Sequence, residues 1–196
     1  MNPPPIYKFK TKQVAPREFL RSLLIGNKLE EIEYLKAEMQ RGYKTQCTKI
    51  LSCLLGTKKS TILNRWGTLE FEEMPEYYKQ TLGYICAAGI NSTHAHQIIK
   101  GTYIPQTISA QEFLEYALAL SSLSSSERDI RLSRHGFFNE CVRVLATVTG
   151  FEPTTVALWG NDIRFHRMPS EHERTLYYAQ AAMKVLNQTT QQLIAA

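Results

Sequence analysis

Apolar residues recur at intervals of three and four along most of the chain, which is the spacing of one face of an α-helix. The same period occurs in residues 17 to 25, in 28 to 40 (Leu29, Ile32, Leu35 and Met39), in 111 to 123 and from 170 to the C-terminus. No stretch convincingly shows the alternation of a half-buried strand. The pattern predicts an all-α fold of about ten or eleven short helices.

The chain contains an internal repeat with an offset of 94 residues. Matching pairs include Gly42 with Gly136, Cys47 with Cys141, Gly56 with Gly150, Phe71 with Phe165, Met74-Pro75 with Met168-Pro169, and Tyr84 with Tyr178. So many uncommon residue types in one register indicate a tandem duplication. We expect a basic N-terminal arm over 1–15, a first module over 16–105 and a second, diverged module over 106–196.

Residues 89 to 105 have the features of a helix between two turns. Gly89 supplies a turn conformation that a side chain disfavours, and Asn91 or Ser92 can cap the following helix. Gly101 and Pro105 then stop it. The Gly turn, the apolar residues after it and the Gly-x-x-x-Pro exit resemble the second half of the helix-turn-helix in phage-repressor-like (Cro/repressor, XRE-type) DNA-binding regulators.

A second hairpin of this kind occurs once in each copy. It consists of a small residue, a Gly four residues later and an apolar residue six after that: Ser52, Gly56 and Ile62 in copy one, and Ala146, Gly150 and Val156 in copy two. The small residue lets two helices approach, the Gly turns the chain and the apolar residue holds the pair together. This frame resembles the same family, which implies that a recognition helix enters the major groove of DNA.

The two copies differ after the turn, where DNA would be contacted. Copy one continues with polar and basic residues suited to phosphates and base edges: Lys58, Lys59, Ser60, Thr61, Asn64 and Arg65. Copy two has Glu152 in place of a lysine, and apolar residues replace Asn64 and Arg65. Copy two therefore binds DNA more weakly, contacts a cytosine amine through Glu152, or has become a structural or partner-binding module.

Two helices of copy one are candidates for the recognition helix. The helix from Lys58 is basic, whereas the helix from Asn91 has the better exit turn but follows Ile85, where the family prefers a small residue. The second helix adds a further set of expected DNA contacts: Asn91, Ser92, Thr93, His96, Gln97 and Lys100. In copy two the counterpart of this helix is the tail from residue 186 to 194.

Some of these residue types also have structural explanations. A polar helix face or a solvated helix start accounts for part of the pattern, although cations at a helix start oppose its dipole. Trp66, Trp159, Phe71 and Phe165 recur in the repeat and are expected in the core. His94 and His96, two residues apart on a helix, point in nearly opposite directions, so we expect no metal there.

Charge is unevenly distributed between the halves. Residues 1 to 100 hold 15 Lys and Arg against 9 Asp and Glu, and residues 101 to 196 hold 8 against 9. The first half is the better candidate for contact with a polyanion. Lys8, Lys10 and Lys12 in the arm are either a minor-groove contact or part of a solvated tail.

Several classes of protein are disfavoured by composition. No run of about 18 apolar residues is present, the N-terminus lacks a signal-peptide core, and the four cysteines have no metal-ligand spacing. No phosphate-binding Gly loop or nucleophile motif supports an enzyme. We expect a cytoplasmic, nucleoid-associated protein without cofactor, metal or membrane partner.

The sequence thus predicts a sequence-specific regulator that binds double-stranded DNA, with two unequal helical modules acting as a covalent pseudo-dimer. A second copy of the chain or another transcription protein are further candidate partners. The alternative is an adaptor that keeps the helix-turn-helix scaffold but binds a regulatory or polymerase partner instead of DNA.

Overall fold

The protein is all-α, which confirms the predicted fold class. The structure is a computed structural model that describes Thr11 and residues 13 to 195, with the backbone alone for 190, 191 and 193 to 195. Within these residues there are eleven α-helices, a 3-10 turn at Leu120–Ser122 and no strand. The helices are α1 (Pro16–Leu24), α2 (Glu31–Glu38), α3 (Tyr43–Leu55), α4 (Lys59–Arg65), α5 (Glu76–Ala87), α6 (Ser92–Lys100), α7 (Ala110–Ala117), α8 (Ser125–Ser133), α9 (Phe137–Thr149), α10 (Pro153–Ala157) and α11 (Glu171–Ala195). Lys8, Lys10 and Lys12 lie outside the described residues.

The helices of the two halves follow one another in the same order. Helices α7 to α10 begin 94 residues after α1 to α4, and α3 and α9 are both 13 residues long. The aromatic residues Phe71 and Phe165 share an uncommon backbone conformation, with φ of 50° and 47°. The backbone therefore has the register of the sequence repeat, while the division into modules at residue 105 stays a prediction.

The core is built from the apolar faces of these helices and from aromatic residues of the repeat. Trp66, Phe71, Trp159 and Phe165 are all buried, so their predicted place in the core is confirmed. Trp66 packs on Tyr78 with ring centroids 5.1 Å apart, and Trp159 stacks on His172, the counterpart of Tyr78, at 5.3 Å. Each half thus has its own tryptophan-centred cluster.

Helices α5 and α11 form the main contact between the halves. At its centre the Thr81 and Thr175 hydroxyl oxygens, 94 positions apart, lie 3.1 Å from each other. Gln80 donates to the Thr147 carbonyl across the contact at 2.7 Å, and Arg174 donates to the Cys53 carbonyl in the opposite direction. Each of these partners lies 94 residues from its counterpart, so the contact is reciprocal between the two halves.

The halves differ at the end of α5. In the first half Gly89, with φ of +81°, separates α5 from α6. The corresponding position is Met183, inside α11, so the two helices become one helix of 25 residues. A left-handed turn favours glycine because it has no Cβ, and methionine is a good helix former.

Helix α2 forms as the spacing predicts, but it buries the face opposite to its apolar residues. Leu29, Ile32, Leu35 and Met39 are 42%, 62%, 43% and 85% exposed. The buried face instead carries Glu38, which accepts hydrogen bonds from Arg17 and Arg21 of α1. The Arg21 guanidinium also lies over the Tyr34 ring. Paired charges, rather than the apolar positions, attach α2 to the fold.

Candidate nucleic-acid interface

Helices α3 and α4 pack against each other as a tight hairpin. Gly56 ends α3 with φ of +75°, and its amide donates to the Ser52 carbonyl. The Ser52 hydroxyl in turn donates to the Thr57 carbonyl at 2.7 Å, which fixes the turn. Ile62, fully buried, then anchors α4 beneath the turn. The small residue, glycine and apolar residue of the sequence frame therefore lie at the hairpin contact.

The outward face of α4 is basic and polar apart from Leu63, which is 47% exposed. Lys58, Lys59, Ser60, Asn64 and Arg65 are exposed, and Thr61 is half-buried. Among the described residues, none of the three cations forms an ion pair. Their charge is therefore available to an external anion.

Acidic residues follow α4 in sequence, but most are held by other partners. Glu70 pairs with Arg17, and the Glu72 carboxylate accepts from the Thr68 amide at 3.2 Å. Hydrogen bonds from its own backbone amide and from Thr68 hold the pKa of Glu72 below its ordinary value. Glu76 pairs with Lys79. These contacts direct the carboxylates into the loop and α5 instead of onto the α4 cations.

Helix α6 is amphipathic, with Ala95 and Ile98 buried and an exposed face that contains no acid. The exposed residues are the predicted ones: Asn91, Ser92, Thr93, His96, Gln97 and Lys100. The Asn91 side chain caps the helix by accepting from the Thr93 amide at 3.1 Å. His96 Nδ1 donates to the Ser92 carbonyl at 2.8 Å, which leaves Nε2 as the acceptor of its ring.

The two candidate helices both pack on α3, but they are held differently. Helix α4 is the second arm of a hairpin with α3, whereas α6 packs mainly on α3 and α1. Lys49 of α3 donates to the Ile99 carbonyl near the end of α6. Helix α6 is therefore held by α3 and α1, although it follows α5 in the chain.

The second half differs at both corresponding positions. Helix α10 has only five residues, starts at Pro153 after Glu152, and is followed by Leu158, which is 72% exposed. The counterpart of α6 is the end of α11. At these positions the basic outward face thus occurs in the first half and not in the second. The sequences after Gly56 and Gly150 predict this difference in residue type.

A groove in the described part of the chain lies away from the predicted contact residues. It has a volume of about 1320 Å³ and lies mainly in the second half, between the end of α7 and helices α8 and α9. Arg134 and Arg143 line it, and Arg131 in its wall pairs with Glu140. None of the predicted contact residues lines the groove, and the sequence pattern gives no sign of it because its residues come from separate helices.

Two other features bear on the predicted class of protein. Across Thr11 and residues 13 to 195, no helix is both long and apolar enough to cross a bilayer. In the same residues, no group of three or more His, Cys, Asp or Glu side chains is arranged to hold a metal ion. Cys47 and Cys141 are buried at equivalent positions, and burial raises the pKa of each thiol to about 12.

The chain matches no protein-family model, and comparison with curated proteins and with solved structures also gives no match. The fold defines an all-α protein whose α4 and α6 both pack on α3 and expose polar faces.

Proposed function

We propose that the protein is a sequence-specific regulator that binds double-stranded DNA, with α3–α4 as its helix-turn-helix and α4 as its recognition helix. The observation that carries the proposal is the outward face of α4, whose cations are exposed and form no ion pair with any residue that the structure describes. The packing of α3 on α4 favours this hairpin over α5–α6, because a helix-turn-helix needs its two helices in contact.

The side chains of α4 suit the two tasks of DNA recognition. Lys58, Lys59 and Arg65 supply charge for phosphates, which provides affinity without sequence preference. Ser60 and Asn64 can donate to and accept from base edges in the major groove. The half-buried Thr61 lies at the edge of this surface.

Helix α6 is the second candidate surface for the same function. Ser92, Thr93, His96 and Gln97 offer neutral polar groups, and Lys100 offers one cation at the end of the helix. The Asn91 side chain is engaged as the cap, so its contribution to DNA would be through the backbone. With a single cation, α6 has less electrostatic attraction for a phosphate backbone than α4.

The side chains of α4 and α10 differ, and this difference affects the symmetry of the DNA site. Two identical modules about a two-fold axis favour a palindrome. Here α10 carries Glu152 and an exposed Leu158 where α4 is basic, and a carboxylate is repelled by phosphates. We therefore propose an asymmetric DNA site, which the first half contacts more than the second.

The first test measures binding to a random duplex by fluorescence anisotropy at increasing salt. We expect Lys58→Ala and Lys59→Ala each to weaken binding to all sequences and to lower the salt slope by about one unit. Arg164→Ala is the matched control, since Arg164 is an exposed cation of the second half that forms no ion pair within the described residues. An unchanged slope in both lysine variants removes α4 from the interface.

The choice between α4 and α6 needs a selected sequence, obtained from a library of random duplexes. Asn64→Ala should then relax preference at one position of the site, at a cost of about 1–3 kcal/mol. Gln97→Ala is the parallel variant on α6. Loss of preference in Gln97→Ala alone would move the recognition helix to α6 and leave DNA binding itself intact.

A protein-interaction adaptor is the second candidate function, favoured by the exposed Leu158 and the acidic start of α10. The two functions differ in their affinity for polyanions. A DNA-binding regulator should be retained on heparin or immobilised random duplex with a steep salt dependence, whereas an adaptor should elute early.

A further inference from the structure

Helix α2 and the residue before its cap present a stripe of exposed apolar side chains. Ile32 and Met39 are 62% and 85% exposed, and Leu29 and Leu35 are exposed by more than two fifths. Ile32, Leu35 and Met39, spaced by three and four, lie along one side of α2, and Leu29 precedes its N-cap Glu30. Single exposed apolar residues are ordinary, but three on one face of a helix, with a fourth just before it, mark an interaction surface.

The second half shows that the fold does not need this stripe. Helix α8 occupies the equivalent position, and there the residues corresponding to Ile32, Leu35 and Met39 are Ser126, Asp129 and Ser133, all exposed. At these three positions the surface is therefore polar in one copy and apolar in the other, whereas the counterpart of Leu29 is Leu123, which packs against the core. The apolar residues of α2 must be explained by something that covers them.

The charges beside the stripe indicate what covers it. Glu33 and Lys36 lie one turn apart along the same flank of α2, both exposed and in no ion pair within the described chain. If two copies of α2 pack antiparallel, Glu33 of each copy lies opposite Lys36 of the other. The flank is therefore self-complementary, as a two-fold symmetric contact requires.

We propose that α2 is a homodimer surface, on which Leu29, Ile32, Leu35 and Met39 pack against the same residues of a second copy in antiparallel orientation. Two Glu33–Lys36 pairs between the copies would set the direction and register of the contact. The surface is one short helix and its preceding turn, so the association is weak and concentration-dependent. It does not depend on DNA binding, and it can be tested without DNA.

Sedimentation equilibrium of the full-length protein tests the proposal, with the Leu35→Asp variant copied from the second half. The wild type should show a monomer–dimer equilibrium below about 100 μM, and Leu35→Asp should raise its dissociation constant by about tenfold or more. Ile130→Ser is the matched control, because Ile130 on α8 is 70% exposed but stands outside any stripe. A wild type that is monomeric at this concentration, or a dimer that Leu35→Asp leaves unchanged, overturns the proposal.

A charge exchange then tests the antiparallel register. Lys36→Glu places two carboxylates opposite each other and should weaken the dimer, and Glu33→Lys with Lys36→Glu should restore it. Circular dichroism controls for the helix, because Glu33 also accepts from the Glu30 amide at its start. A double variant that dimerises no better than Lys36→Glu excludes this pairing of the two copies.

Discussion

Glu38 on α2 is a buried carboxylate that contacts two arginines of α1. Its side chain is 3% exposed and accepts hydrogen bonds from Arg17 at 2.8 and 2.5 Å and from Arg21 at 2.8 Å. These hydrogen bonds, first from Arg17 and then from Arg21, hold the pKa of Glu38 at about 2, although burial alone would raise it. A buried carboxylate with two guanidinium partners stabilises the folded state in its charged form.

The stability of the protein should therefore depend on pH through Glu38. Because the folded pKa lies below the unfolded value, the contribution is complete above about pH 4.5 and is lost as the pH falls towards 2. The shift corresponds to about 3 kcal/mol. Glu38→Gln should lower the free energy of unfolding by about this amount at pH 7, and by less than half of it at pH 3.

Urea denaturation at the two pH values measures the effect. Glu18→Gln is the control, since Glu18 is exposed on α1 and in no ion pair within the described residues. If Glu38→Gln lowers the free energy of unfolding equally at pH 7 and pH 3, the charge of the Glu38 carboxylate is not the cause of the stabilisation.

The same residue explains what the sequence pattern failed to predict. A period of 3.6 identifies the apolar face of α2 but assumes that this face is the buried one. The residues that decide the orientation, Arg17 and Arg21, lie on another helix and come together with Glu38 only in the folded chain. Where no such charges intervene, as for Ala95 and Ile98 of α6, the apolar positions are buried as expected.

At the scale of elements, the turns were the most predictable feature. Gly56, Gly89, Gly101 and Gly150 all have positive φ and end helices, as the sequence frame requires. The joining of the counterparts of α5 and α6 into the single helix α11 was less predictable, because the sequence pattern identified only the tail from 186 to 194 as the counterpart of α6. Met183 in place of Gly89 is the local signal for it.

Two of these glycines differ in what surrounds them. A Cβ on Gly89 would meet nothing within 4 Å, whereas one on Gly150 would lie 3.3 Å from the Tyr77 backbone and 2.8 Å from the Gln80 side-chain oxygen, both on the opposite half. Gly89→Ala should cost about 1 kcal/mol of conformational strain. Gly150→Ala should cost the same strain and about 1–3 kcal/mol more for overpacking.

The angle φ is nearly equal at Gly89 and Gly150. The difference in unfolding free energy between the two alanine variants therefore measures the packing between the halves. Thermal or urea unfolding of both variants measures it. Equal losses would mean that the turn at Gly150 is not tightly packed against α5.

At the scale of the whole molecule, the contact between α5 and α11 joins the halves through buried residues. Leu82, Tyr84, Leu176 and Tyr178 on the two helices are all fully buried, and the Thr81–Thr175 hydroxyl contact lies among them. The repeat predicted that the halves correspond, but not that their equivalent helices meet. That arrangement depends on pairs such as Gln80 with Thr147, which no local pattern relates.

The contact predicts that the two halves unfold together. Each half has one tryptophan, Trp66 or Trp159, both buried, so Trp159→Phe leaves a fluorescent reporter in the first half and Trp66→Phe leaves one in the second. In each variant the fluorescence transition in urea should coincide with the loss of helix measured by circular dichroism. If the halves were independent domains, the fluorescence of the remaining tryptophan would report the unfolding of its own half alone. Circular dichroism would then show a broader transition, because it reports the loss of helix in both halves. Coincidence is expected because separating α5 from α11 would expose the fully buried side chains of both helices to water.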